Sequence, residues 1–203
     1  MRLEKGIMKT ETIFSEDGQE RFLLRKEWNK NQKACVLMTN PSTADLHKLD
    51  YTTMYIINNL ADLGFGSVDI VNMVSKVTMK LDTKSDIASL VTEENIKQII
   101  ASANKADKVI IAWGKLGENN KKIRSVQEGL LEHLRPFQDK LYIIGDSRGA
   151  MGFHPLAPSI RFSWDLVKLD IGKAGEGKEE VGEVKNGESE PFVASGEENE
   201  MRE

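Results

Sequence analysis

Four short polar stops hold the residues with which this chain could do chemistry, and each follows an apolar run. Asn40-Pro41-Ser42 ends the run 34–38, and Asn72 ends the run 68–71. Trp113-Gly114-Lys115 ends the run 108–112. The run 141–144 is followed by GDSRGAMGFHPLAP, where Gly and Pro hold His154 in a defined Gly152-Phe153-His154-Pro155 turn. A carboxamide offers both a donor and an acceptor, and an imidazole offers a donor whose charge can be tuned. The chemistry on offer is therefore hydrogen bonding and electrostatic stabilisation. There is no metal-ligand spacing, no Gly-x-Ser-x-Gly elbow, no Gly-rich dinucleotide loop and no P-loop, so no metal or cofactor is expected. His47 in a loop and His133 on a helix surface read as ordinary polar residues.

The elements that must position these residues follow from pattern. Proline cannot donate to a sheet ladder and disfavours helical geometry in the residue before it, so Asn40 is extended at the end of a strand. A helix runs from Asp50-Tyr51-Thr52 to about Leu63, with Met54, Ile57, Leu60 and Leu63 at helical spacing and Gly64 at the cap. Thr92 caps a second helix, with Glu93 and Glu94 in its first turn and a stripe of Ile96, Ile99, Ile100 and Ala103. A third spans 119–134, with Ile123, Val126, Leu130 and Leu134 facing inward. Residues 75–90 carry no clean period and read as a long loop with a short helical piece. Apolar strands alternating with amphipathic helices imply right-handed crossovers and a parallel sheet covered on both faces. Residues 12–28 read as a β-hairpin turning at Asp17-Gly18. Its arm is basic and aromatic through Arg21, Arg25, Lys26 and Trp28, and is expected to be a solvated edge with one packed tryptophan. The predicted fold is an α/β three-layer sandwich with a four-stranded parallel sheet and an N-terminal hairpin. In such sheets ligands bind at the carboxyl ends of the strands, so the candidate site is where the four ends meet.

The chain has 203 residues, enough for one well-buried domain without disulfides or metal. A single cysteine, Cys35 inside the first apolar run, excludes a disulfide framework and a cysteine-rich zinc site, reads as structural, and suits a reducing cytoplasm. No segment has the apolar length of a membrane span, and the N-terminus lacks a signal peptide's apolar core. The net charge of −4 is uneven. Residues 171–203 hold ten acidic and four basic residues, leaving 22 acidic and 24 basic in 1–170. Residues 1–170 read as one mildly basic domain, compatible with a nucleic acid partner. Residues 171–203, rich in Gly, Glu, Lys and Ser, read as an acidic disordered tail that could contact a protein partner.

RFLLRKEW (21–28), MTNPSTAD (38–45), DYTT (50–53), VNMVSK (71–76), AWGKLG (112–117) and GFHPL (152–156) together resemble a bacterial and phage family known only as a domain of unknown function. More distantly the chain resembles the uracil-DNA glycosylase superfamily. Its members share a four-stranded parallel sheet, with a Pro-containing motif after strand one and an Asn after strand two. A Leu-Gly-type end to strand three and a His-Pro-Ser motif after strand four complete the pattern. Here those positions are Asn40-Pro41-Ser42, Asn72, Trp113-Gly114 and His154-Pro155-Leu156.

The resemblance implies cleavage of an N-glycosidic bond in a nucleic acid, nucleotide or modified base. That reaction needs a water held beneath an oxocarbenium-like sugar and stabilisation of charge growing on the departing base. The resemblance gives Asn40 the water-orienting role and His154 the donor to a base carbonyl, with Asn72 reading the base edge. Tyr51, Trp113 or Phe153 could floor the base, and Pro41, Ser42, Gly114, Lys115, Arg148 and Pro155 would complete the pocket. Two departures stand out. The first motif has Asn where a general base would need Asp, and Leu156 stands where a Ser would clamp duplex DNA. Asp45 and Asp50 lie outside the glycosylase pattern; a sugar hydroxyl, a metal or a helix N-terminus would each suit them. Two rival readings remain: a non-catalytic nucleotide-binding module, and a protein–protein adaptor or inhibitor acting through the acidic tail.

Overall fold

The computed structural model describes residues 1–42, 44–78 and 87–172. Half of the loop read over 75–90, and nearly all of the tail read over 171–203, lie outside those residues. The strands are β1 (Lys9–Phe14), β2 (Arg21–Glu27), β3 (Gln32–Met38), β4 (Phe65–Asn72), β5 (Lys108–Ile111), β6 (Leu141–Gly145) and β7 (Asp165–Lys168). The α-helices are α1 (Tyr51–Asp62), α2 (Glu93–Lys105) and α3 (Lys121–Leu134).

One mixed sheet of seven strands carries the fold, in the order β1-β2-β4-β3-β5-β6-β7. β4, β3, β5 and β6 run parallel. β2 is antiparallel to β4, β1 to β2, and β7 to β6. The sheet is thus wider than the sequence predicts, because β7 is only four residues long and the hairpin joins the sheet through β2.

Side chains of the central strands alternate between two apolar layers, which is why their sequences are continuously apolar. Cys35, Leu37, Val109 and Ile111 pack with Ile99, Ala103, Ile123 and Leu130 of α2 and α3. Val36, Met38, Ile70 and Ile110 pack on the other face with Ile56 and Leu60 of α1. The apolar stripe of α1 is rotated from the predicted one. Thr53, Ile56, Ile57, Asn59 and Leu60 are buried, while Leu63 is exposed. Asn59 earns burial by donating to the carbonyls of Tyr55 and Arg161.

β2 is an interior strand, not a solvated edge. β1 covers its outer side, and Arg21 and Lys26 are both 2% exposed. Lys26 Nζ is satisfied by Thr10 Oγ1 and the carbonyls of Asp45 and Leu46. Trp28 is part-buried and donates to the carbonyl of Phe65. Arg25 of β2, Asp69 of β4 and Lys33 of β3 form one ion cluster across three strands. Burial alone would raise the Asp69 pKa, but hydrogen bonds from Arg25 and Lys33 outweigh it and hold the carboxyl below its usual range.

Candidate functional site

The carboxyl edge of the parallel strands opens into a cavity of about 240 Å³ on the α1 face. Asn40 and Ser42 reach it from the segment after β3, Asn72 from the end of β4, and His154 from the loop after β6. Thr52, Thr53 and Ile56 line it from the first turns of α1, with Met38 and Ile70 at the apolar base. Arg21 enters from the start of β2, which runs antiparallel and therefore begins at this edge.

Asn40 is oriented by its amide nitrogen, which donates to the carbonyls of Thr78 at 2.8 Å and Pro41 at 3.2 Å. That fixes Oδ1 as the end left to accept from a ligand or water. Asn72 is 2% exposed, and its side chain makes no hydrogen bond to the described residues. Its backbone is held instead, since Asn95 of α2 donates to the carbonyls of Asn72 and Met73. The Asn72 carboxamide is therefore positioned yet uncommitted to any described residue.

His154 is set in both charge and tautomer. Burial lowers its pKa, with only a partial opposing pull from Asp50, so the ring is neutral at neutral pH. The Leu156 N–H donates to Nδ1 at 3.1 Å. A neutral ring accepting at Nδ1 carries its proton on Nε2, leaving Nε2–H as its donor. Gly114 after β5 backs this histidine at φ +69°, and a Cβ there would lie 3.0 Å from His154 Cβ. The third strand end thus supports the site by lacking a side chain.

Several residues predicted for the site take other places. Tyr51 is exposed and Phe153 packs into the α1-side core, and neither lines the cavity. Trp113 packs against the core on the opposite face of the sheet, so it cannot floor a base here. Pro41 and Pro155 are buried structural residues outside the lining. Asp50 caps α1 by accepting from the Thr53 N–H at 2.7 Å. Asp45 accepts from the His47 and Lys48 N–H groups in a tight turn. Asp50 thus takes the helix N-terminus role, and Asp45 caps a turn. Lys115 is exposed near Glu118. Arg148 is tied to Asp146, whose burial would raise its pKa but whose bonds from Arg148 and Ala150 keep it low. His47 and His133 lie outside the lining. No group of three or more His, Cys, Asp or Glu among the described residues could hold a metal ion, and no helix there is long and apolar enough to cross a membrane.

Arg21, Thr52, Thr53 and Thr78 are the polar lining residues that sequence reasoning missed, beside the apolar Met38, Ile56 and Ile70. For Arg21 a signal existed. Phe22-Leu23-Leu24 is an unbroken apolar run, which marks a strand buried on both faces, and a cation heading such a strand is unlike one on a solvated edge.

No curated protein and no solved structure matches the chain. The model of a family described as protein of unknown function (DUF1643) matches residues 21–156. That span runs from Arg21 to Leu156, both of which line the cavity, and the chain belongs to this family.

Proposed function

We propose that the chain is a glycosylase-like protein that cleaves an N-glycosidic bond in a nucleic acid, a nucleotide or a modified base. One observation carries this reading. Asn40, Asn72 and a neutral, tautomer-fixed His154 line one cavity although they follow three different strands. Four parallel strands whose carboxyl ends share the edge at which the cavity opens support the finer fold reading, a uracil-DNA glycosylase-like three-layer sandwich.

In the proposed reaction the bond from the sugar C1′ to the base nitrogen breaks, and its electron pair leaves with the base. Asn72 holds the base edge through its donor and acceptor. His154 donates Nε2–H to a base carbonyl, and that bond strengthens as negative charge moves onto the oxygen. Asn40 Oδ1 accepts from a water, which attacks C1′ and loses its proton to solvent afterwards. A neutral imidazole suits this role, since it stabilises the developing anion without first being drawn toward other anions.

One feature of the lining favours a second reading, binding of a nucleotide without hydrolysis. No carboxylate of the described residues lines the cavity, so none of them offers the attacking water a strong general base.

The experiment is release of free base from single-stranded and duplex oligonucleotides and from nucleotides. Wild type should release base, and His154→Ala should lower turnover about a hundred-fold with little change in ground-state affinity, the scale of losing an oxyanion-type donor. Asn40→Ala should also slow release, with partial rescue by an added small nucleophile. Base release retained in both variants would place the chemistry elsewhere. Nucleotide binding with no release from any substrate would establish the second reading.

A further inference from the structure

Arg21 is a buried cation without a counter-ion among the described residues. The residue is 2% exposed and lines the cavity. Nη1 donates to the carbonyls of Ala44 at 2.5 Å and Ser42 at 3.4 Å, which fixes the plane of the group. Among the described residues the buried Nε has no hydrogen-bond partner, and the side-chain bonds of Arg21 all come from Nη1. No carboxylate of the described residues lies within ion-pair distance. Asp50 and Asp45 act on it only through space and do not offset its desolvation. Among the described residues, the other charged side chains buried to this degree have their polar groups engaged. Asp69 has Arg25 and Lys33, and Lys26 has three oxygen acceptors.

A desolvated, unpaired guanidinium is unfavourable in the empty protein and becomes favourable when an anion binds it. The unused Nε–Nη2 edge carries two parallel donors, the fork that matches two oxygens of a phosphate. The surroundings also suit an anion. The Ser42 hydroxyl accepts from the Ala44 N–H, so its own proton remains to donate. Thr52 and Thr53 bring hydroxyls and the N-terminal turn of α1, a twelve-residue helix whose dipole is positive at this end.

We propose that Arg21 is the receptor for a phosphate group on the ligand of this cavity, so that the ligand is a phosphorylated nucleoside and not an uncharged base or nucleoside. The inference rests on the nucleotide reading above and narrows it. Asn72 and His154 hold the base, while Arg21 and the α1 terminus hold a phosphate. At about 240 Å³ the cavity is below the ~300–1,000 Å³ of drug-sized sites, so it accepts one small unit, a free nucleotide or the phosphorylated end of a chain.

The test is calorimetric titration of the full chain with the common nucleosides, their 5′-monophosphates, a 5′-phosphorylated dinucleotide and inorganic phosphate. At least one monophosphate should bind about ten-fold or more tightly than its nucleoside, the scale of charge-assisted hydrogen bonds. Inorganic phosphate should compete with it. In Arg21→Met the phosphate advantage should shrink to less than about two-fold while nucleoside affinity persists. No advantage in wild type, or an advantage that survives in Arg21→Met, overturns the proposal. Should Arg21→Met fail to fold, the Arg21 Nε–H resonance of the wild type decides, assigned by its loss in Arg21→Lys. It should shift saturably with phosphate but not with chloride at equal ionic strength, and a silent resonance overturns the proposal. Equal binding of the dinucleotide assigns the phosphate to a chain end, and its exclusion assigns it to a free nucleotide. Arg21-dependent binding without base release would leave the phosphate site standing and remove the glycosylase reading. Base release with no phosphate preference would do the reverse.

Discussion

Replacing Asp69 by Asn tests how the added hairpin is fastened to the parallel sheet. The carboxylate is fully buried and accepts from Arg25 Nε at 2.6 Å and Nη2 at 2.9 Å, with Lys33 Nζ at 2.9 Å. Asparagine keeps the shape but removes the charge and turns an amide NH2 toward one of the two cations. Removing one partner of a buried pair costs about 3–5 kcal/mol. The lower end applies here, because the side chains of Arg25 and Lys33 are 23% and 20% exposed and Arg25 keeps Glu11 at 2.7 Å. A loss of ~3 kcal/mol corresponds to a fall in Tm of about 6–12 °C for a chain of this size. Urea melts at pH 7 should show the lower midpoint at unchanged slope. The pH dependence has a definite sign. A carboxyl held below its usual value stabilises the fold above its unfolded pKa, and that stability is lost as pH falls through the folded pKa. Wild type and variant should therefore converge in acid. A difference below about 1 kcal/mol at pH 7, or one that does not shrink on acidification, would refute the view that this cluster fastens β2.

Gly114→Ala places a Cβ at φ +69° and 3.0 Å from His154 Cβ. It should cost about 1–2 kcal/mol in urea melts and slow base release by displacing the histidine; unchanged stability would remove the strain argument. His154 has a folded pKa below its ordinary 6.5, so just under that pH the unfolded chain binds a proton the native state does not. Wild-type stability should accordingly fall as pH drops below about 6.5, and His154→Gln should flatten that limb; an identical slope in both would contradict a buried neutral ring. Cys35 is fully buried, and burial pushes its thiol well up, with Asp69 adding to the shift. Thiol reagents should label the native chain only at the rate at which it unfolds, and rapid native labelling would show that the core opens locally.

The centre of the fold was legible because its signals are local. The apolar runs that became β3, β4, β5 and β6 are flanked by caps the sequence announces. Asp50 and Thr92 sit at helix N-caps, and Gly64 takes φ +84° after α1. What was not legible depends on partners far away in sequence. β7 has four residues, none of them fully buried, and pairs with β6 at the sheet edge. The stripe of α1 was misread because Thr53 and Asn59 count as polar in a periodicity argument. Their burial is decided by the adjacent cavity and by the Arg161 carbonyl, which lies 102 positions away.

The site divides along the same line, and the division says which part of the chain shapes the cavity. Asn40, Asn72 and His154 could be found because each follows a strand that ends at one edge. Trp113 misled because the strand-end rule fixes a position along the sheet, not the face to which a side chain turns. Arg21 was hidden by its setting, since a basic residue at a hairpin start reads as solvated until β1 is known to cover β2. Yet Arg21 and Lys26 hold the carbonyls of Ser42, Ala44, Asp45 and Leu46, the stretch that follows Asn40 and leads to α1. Polar carbonyls that leave water need such donors. The parallel strands thus supply the groups that could read a base, while the antiparallel hairpin supplies the wall and the charge. Any preference that sets this pocket apart from others at parallel-strand ends should respond to changes in β2 before it responds to changes in β5 or β6.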